Sequence, residues 1–259
     1  MNILPARQEL HQKIIHRALQ SCAASEHPQF IAILGGPGAG KTALTNYLRQ
    51  QNLLPESFVH IHMNLFSVLP EFPALLFRFV HPEKSPELVD EYHFLVTCII
   101  QEALLRRMSI VLDEHGDNFA FFQSHLSSLY PLGYTSTAFG MVISPQTYIT
   151  SQIEKMEKDL DLNRKIQRID NYLLHLKFCT NWQDISLLFH HASLFLRITK
   201  IDPIQLLCGF RTINGVYESI GDLAGIELAN FIFSQWSSPT SYSDFLSQLN
   251  LAEGSSFNG

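Results

Sequence analysis

The chain has 259 residues, 46% of them hydrophobic, and a net charge of −6 with only 18 basic residues, which favours a folded core and excludes a broad nucleic-acid footprint. No apolar run reaches the roughly 20 residues of a membrane span, and Met1-Asn2-Ile3-Leu4-Pro5 lacks the basic and apolar regions of a secretory signal. Four scattered cysteines form no C-x-x-C pair, so the expectation is a cytoplasmic protein with reduced thiols and neither a nucleic-acid nor a membrane partner.

Leu10, Ile14, Ile15, Ala18, Leu19 and Cys22 recur at helical spacing between about Ala6 and Ala24 and predict a leading amphipathic helix. The apolar run Phe30 to Leu34 then reads as a strand that opens into Gly35-Gly36-Pro37-Gly38-Ala39-Gly40-Lys41-Thr42. This segment satisfies G-x-x-x-x-G-K-[ST] between a strand and a helix, the context a P-loop requires. In such a loop Gly35, Gly38 and Gly40 let the backbone wrap a phosphate, Lys41 reaches the β- and γ-phosphates, and the Thr42 hydroxyl takes Mg²⁺. Binding of ATP or GTP with Mg²⁺ is therefore expected.

Phe58 to His62 predicts a second short strand. Ligands of an open parallel sheet sit beyond the carboxyl ends of its strands, so His62, Met63 and Asn64 fall beside an acceptor. Ser85-Pro86-Glu87 starts a long helix that runs to Leu105, with a capping serine, proline at the first helical position and an acid in the first turn. Ser109 to Glu114 is a buried strand ending in two carboxylates, as a Walker-B segment does, and makes Asp113 the second candidate metal ligand after Thr42. An acid at a strand end also caps a following helix, but Asp117 is better placed to cap Phe119 to Leu129.

Thr137 to Ile143 is a fourth strand, so the β-α-β-α-β-α-β order predicts an α/β fold with a parallel sheet and helices on both faces. Two charged helices follow, from about Thr147 to Leu160 and from Asn163 to Phe178, carrying the basic residues Lys155, Lys158, Arg164, Lys165 and Arg168. Glu154, Glu157 and Asp159 offset the lysines, so on charge alone these helices read as a solvated face. Ala192 to Ile198 and Pro203 to Cys208 predict a hairpin at the sheet edge, Val216 to Trp236 reads as helical, and Ala252 to Gly259 is a polar end. The His60/His62 and His190-His191 pairs lack a third ligand at metal-binding spacing.

Taken together, the P-loop, Ile61-His62-Met63-Asn64-Leu65-Phe66 followed by Pro70-Glu71-Phe72, the strand Val111 to Gly116, and Gly133-Tyr134 before a strand ending at Ser144-Pro145 resemble a zeta-toxin-type P-loop kinase, over about residues 5 to 210. The resemblance implies a three-layer P-loop fold with a mainly parallel sheet, a helical lid and a mostly helical C-terminal extension. It divides the chain into a kinase domain, residues 1–210, and an extension, residues 211–259. It implies transfer of a γ-phosphoryl group to a hydroxyl of a small nucleotide-linked acceptor, such as the nucleotide sugar UDP-N-acetylglucosamine, and an antitoxin-like protein partner. A toxin or exported effector setting comes with it.

Carried onto this sequence, the family roles fall on Lys41 and Thr42 for nucleotide and Mg²⁺, on Asp113, and on Lys155 and Arg164 in the lid. Lys155 stands where the family usually has arginine, giving a point charge in place of a bidentate fork. Asn64 stands where the family has the aspartate that accepts the hydroxyl proton, and an amide has no basic lone pair near neutral pH. His62, two residues earlier and expected on the same strand face, is a candidate substitute base, the alternative being that it fills the sheet surface. Two other readings stay open: an AAA+ or STAND-like ATPase in which Asp113-Glu114 form a Walker-B pair, and a catalytically degenerate nucleotide-binding module.

Overall fold

In the computed structural model of the chain, residues 5–71, 86–156, 162–197, 204–213, 216–220, 223–238, 243 and 247 are described. Strand β1 (Gln29–Leu34) lies at the centre, every residue after Gln29 buried, because its apolar run has neighbours on both edges and on both faces. It pairs in parallel with β3 (Ile110–Glu114) on one side and β4 (Thr135–Ile143) on the other. Strand β2 (Val59–Ile61) adds to β3 in parallel, and β5 (His191–Arg197) adds to β4 in parallel. Strands β6 (Gln205–Ile213) and β7 (Val216–Ile220) complete the sheet in antiparallel fashion, giving the order β2-β3-β1-β4-β5-β6-β7. The architecture is α/β with a mainly parallel sheet, and its order places the acidic end of β3 directly beside the strand that feeds the P-loop.

Helix α1 (Pro5–Leu19) docks on α3 (Pro86–Leu105) through Arg7, whose guanidinium donates to both oxygens of Glu91, and through His11, which bonds the same carboxylate. Burial works to raise the Glu91 pKa, but the hydrogen bonds from Arg7 and His11 outweigh it and hold the carboxylate below its usual range. Helix α2 (Lys41–Gln50) follows the P-loop, and α4 (Phe119–Leu129) follows β3. The cap of α4 is Asn118, whose Oδ1 accepts from Phe121 N at 3.0 Å, rather than the expected Asp117. Helix α5 (Pro145–Met156) is capped by Ser144, whose Oγ accepts from Thr147 N, and α6 (Leu162–Ser186) runs eight residues past the expected end at Phe178.

The C-terminal part differs from its sequence reading. Val216–Ile220 is the edge strand β7 where a helix is expected, and the helix α7 spans Leu223–Trp236. Val216 to Ile220 pair antiparallel with Gly209 to Ile213 of β6, and the β-branched and aromatic residues Val216, Tyr217 and Ile220 suit a strand. The expected hairpin of β5 and β6 does form, but β5 lies inside the sheet and β7 occupies the edge. Strand β6 crosses residue 210, so the sheet continues into the segment expected as an extension. Trp236 closes α7 onto the core: it is 1% exposed and its Nε1 donates to Ile143 O at 2.7 Å.

Candidate active site

Two neighbours approach the P-loop closely. A side chain at Gly36 would collide with the backbone and ring of His175 on α6, and one at Gly40 would lie 2.7 Å from Nη1 of Arg197 on β5. Gly40 also caps α2 with φ +109°, a left-handed conformation that favours glycine. Within this frame Lys41 Nζ donates to Gly35 O at 2.7 Å and lies 3.8 Å from Asp113 Oδ1. Thr42 is exposed at the helix start. Gly38, Gly40, Lys41, Thr42 and Asp113 all line one cleft of about 910 Å³.

Burial raises the Asp113 pKa, with the charges of Lys41 and His62 working against that shift. Its neighbour Glu114 accepts a hydrogen bond from the buried Tyr92 hydroxyl, and burial pushes its carboxyl up to about 7, with Asp117 adding to the rise. His115 is pushed down to about 3 by burial and by Lys41.

The cleft continues from the P-loop to the end of β2, where His60, His62, Met63, Asn64 and Tyr92 line it. The strand stops at Ile61, and Met63–Phe66 form a 3₁₀ turn. His62 is therefore the last extended residue, and the ring it faces is that of His60, at 4.6 Å between centroids. Asn64 sits exposed on the turn, so the expected strand-face alignment of His62 with Asn64 does not hold, although both line the cleft. Burial lowers the His62 pKa, partly offset by Asp113. Burial, His62 and Arg49 take His60 down to about 4.

Helices α5 and α6 reach the loop. Gln152, 2% exposed, would meet a side chain at Gly38 at 3.3 Å, and Asn171 and Leu174 line the cleft. Lys155 and Arg164 belong to these helices, but their side chains lie outside the described residues. Arg197 is a site residue that the sequence reading missed; the signal available was a cation near the carboxyl end of a strand expected over Ala192 to Ile198.

The family model described as Zeta toxin matches residues 13–190. The chain belongs to the zeta toxin family. Two kinds of solved structure share the zeta toxin fold with it. A chain of the PezAT chromosomal toxin–antitoxin system of Streptococcus pneumoniae aligns over 100% of this chain and 99% of its own, with TM-score 0.58 and 12% identity. The native AvrRxo1-ORF1:-ORF2 complex aligns over 92% and 76%, with TM-score 0.57 and 15% identity, and the same complex with ATP over 90% and 74%, with TM-score 0.55 and 14% identity. No curated protein matches at a significant level.

As a zeta toxin family member the chain is a P-loop phosphotransferase, and membership displaces the AAA+ or STAND reading. The loop fits a nucleotide, since Gly35, Gly36 and Gly40 leave no room for side chains and Lys41 lines the cleft beside them. Among the described residues no helix is long and apolar enough to cross a membrane.

Proposed function

We propose that the chain transfers the γ-phosphoryl group of ATP to a hydroxyl of a small nucleotide-linked acceptor, a nucleotide sugar of the UDP-N-acetylglucosamine type. The observation that carries this reading is the single cleft of about 910 Å³ running from Gly38 and Lys41 to His62 and Asn64, more space than a triphosphate tail needs. Gly35, Gly38, Gly40 and Lys41 hold the phosphates, and Thr42 and Asp113 are the residues that would hold Mg²⁺. A bound Mg²⁺ supplies charge neutralisation across the β- and γ-phosphates.

The acceptor hydroxyl lies at the β2 end. Its oxygen forms the new bond to the γ-phosphorus, the bond from that phosphorus to the β–γ bridging oxygen breaks, and the hydroxyl proton passes to His62. The lowered pKa of His62 keeps its imidazole neutral, and so able to accept a proton, near pH 7. Asn64 hydrogen-bonds and orients the hydroxyl. Lys155 and Arg164 serve as lid cations over the transferred group. Cytoplasm, with its ATP and nucleotide sugars, is the working compartment, and an antitoxin-like protein is the proposed partner because the PezAT and AvrRxo1-ORF1:-ORF2 structures are of paired proteins.

Incubation with ATP, Mg²⁺ and a panel of nucleotide sugars and dinucleotides, read by product mass, tests the proposal: one acceptor gains a phosphate. Release of ADP with no phosphorylated product would mean an ATPase. Asn64 favours one second reading, a degenerate nucleotide-binding module, and ATP binding without any turnover would select it.

A further inference from the structure

Among the described residues, two arginines that line the cleft belong to neither the P-loop motif nor the helical lid: Arg49 in the last turn of α2, and Arg197. Arg197 is the last residue of β5, a strand bonded on both sides, with Arg197 itself opposite Ile143 of β4 and Leu196 opposite Gln205 of β6. Its side chain lies across Gly40: a Cβ there would be 2.7 Å from Nη1, 2.9 Å from Cδ and 3.4 Å from Cζ. Gly40 is the N-cap of α2, and in a P-loop this stretch of backbone cradles the α- and β-phosphates while the lysine beyond it reaches the β- and γ-phosphates. A guanidinium held over Gly40 therefore faces the α/β side of the nucleotide and not the transferred group.

We infer that Arg197 is a phosphate-binding residue that engages α- and β-phosphate oxygens of the bound nucleotide. The inference rests on reading the cleft as an ATP site and adds a named contact to it. Three features suit the role. Arginine presents a planar fork that matches phosphate oxygens in pairs, which an ammonium does not. Its strand mount fixes it more firmly than a cation on a lid helix, so it binds substrate and product nucleotide alike. Negative charge also builds on the departing diphosphate as the bond to the γ-phosphorus loosens, and a cation on that side stabilises it without moving. The glycine at position 40 is thus required twice, by its left-handed backbone and by the side chain that occupies the space above it.

The test is calorimetric titration of the full chain with Mg²⁺-ADP and Mg²⁺-ATP, comparing wild type with Arg197→Ala and Arg197→Lys. Arg197→Ala is expected to weaken both nucleotides together by about 10- to 100-fold, the range for losing hydrogen bonds to a charged group. Arg197→Lys should recover part of the loss, and millimolar guanidinium should restore part of the binding of Arg197→Ala, a rescue that a merely structural role would not show. If Arg197→Ala fails to fold, Arg197→Lys and Arg197→Gln carry the comparison, with lysine expected to bind the more tightly and equal affinities counting against the assignment. Unchanged affinity for both nucleotides would overturn the inference while leaving the ATP site standing. Loss of ATP binding with ADP binding intact would overturn it too, since the guanidinium would then serve the γ-phosphate. A wild-type chain that binds neither nucleotide would remove the ATP reading and this contact with it.

Discussion

The two ends of the cleft are built by different means. At the phosphate end the backbone does the work: glycines wrap the loop, parallel pairing sets Leu34 opposite Glu114 and Ile33 opposite Asp113, and His175 and Arg197 close on Gly36 and Gly40. At the end proposed for the acceptor the backbone is a three-residue edge strand followed by a 3₁₀ turn, and the cleft is lined by the side chains of His60, His62, Asn64 and Tyr92. A backbone-built end depends on glycines at fixed positions and tolerates little change. An end built from side chains can be altered one residue at a time, which is what substitutions at Asn64 and His62 would probe.

The largest expected effect breaks the phosphate end. Lys41→Ala should lower phosphoryl transfer by at least about 10³-fold and remove most affinity for an ATP analogue with Mg²⁺, because it removes the loop's own cation beside Asp113. Single-turnover rates and calorimetry report the two losses separately. Unchanged values in both would make the loop a structural turn.

The acceptor end should respond in the opposite direction to one change. Asn64→Asp is expected to raise transfer by about 10²-fold, the low end of what a general base contributes, because the loose transition state depends more on positioning than on the base. His62→Ala should abolish the original activity and spare Asn64→Asp. Silence in both variants would move the acceptor away from the end of β2. Transfer that appears only in Asn64→Asp would make the natural protein a nucleotide-binding module.

A smaller effect tests the rigidity claimed for the phosphate end. Gly36→Ala should destabilise the fold by about 1–3 kcal/mol, the usual range for overpacking, since the new methyl meets His175, which is fully buried. Combining it with His175→Ala should recover part of that loss, so that the pair couples favourably by about 0.5–3 kcal/mol in denaturant melts. No destabilisation by Gly36→Ala would show that the loop moves off α6 freely, since the Cα and Cβ of residue 175 remain in the way in either background.

The same division decides what was legible in the sequence. The P-loop, the strands β1 to β4 and the acidic end of β3 follow from one motif and from apolar runs of strand length, all local signals. The cap of α4 was off by one because Asp117 and Asn118 have the same capping chemistry, and only backbone geometry chooses between them. β7 reads as part of a helix because its five residues, Val216–Ile220, come just before the strongly apolar α7. Arg197 and His175 were invisible as neighbours of the loop, since their approach to Gly40 and Gly36 depends on strand register and helix packing far along the chain. The His62–Asn64 alignment failed because the strand ended at Ile61, one residue sooner than the apolar pattern suggested.

A pH-dependent effect of similar size concerns Glu114, which lines the main cleft and also a second cavity of about 220 Å³ beside Asp117 and Phe121. Burial pushes its carboxyl from an ordinary value of 4.5 up to about 7 while Tyr92 donates to it. The sign follows from proton linkage. Below about pH 4.5 the carboxyl is protonated in both folded and unfolded chains and contributes nothing to pH dependence. Between 4.5 and about 7 the unfolded chain gives up the proton while the folded one keeps it, so this group makes stability fall as pH rises, by at most about 1.4 kcal/mol per pH unit. Above about 7 both forms are ionised and the penalty is constant. Glu114→Gln keeps an oxygen for the Tyr92 hydroxyl and removes the ionisation. Subtracting the wild-type stability from that of the variant at each pH cancels the titrating groups not coupled to Glu114, and the difference should rise from pH 5 to pH 7 and then level off. A flat difference would mean that Glu114 ionises in the folded chain as it does in the unfolded one, and that water reaches the junction of the two cavities freely.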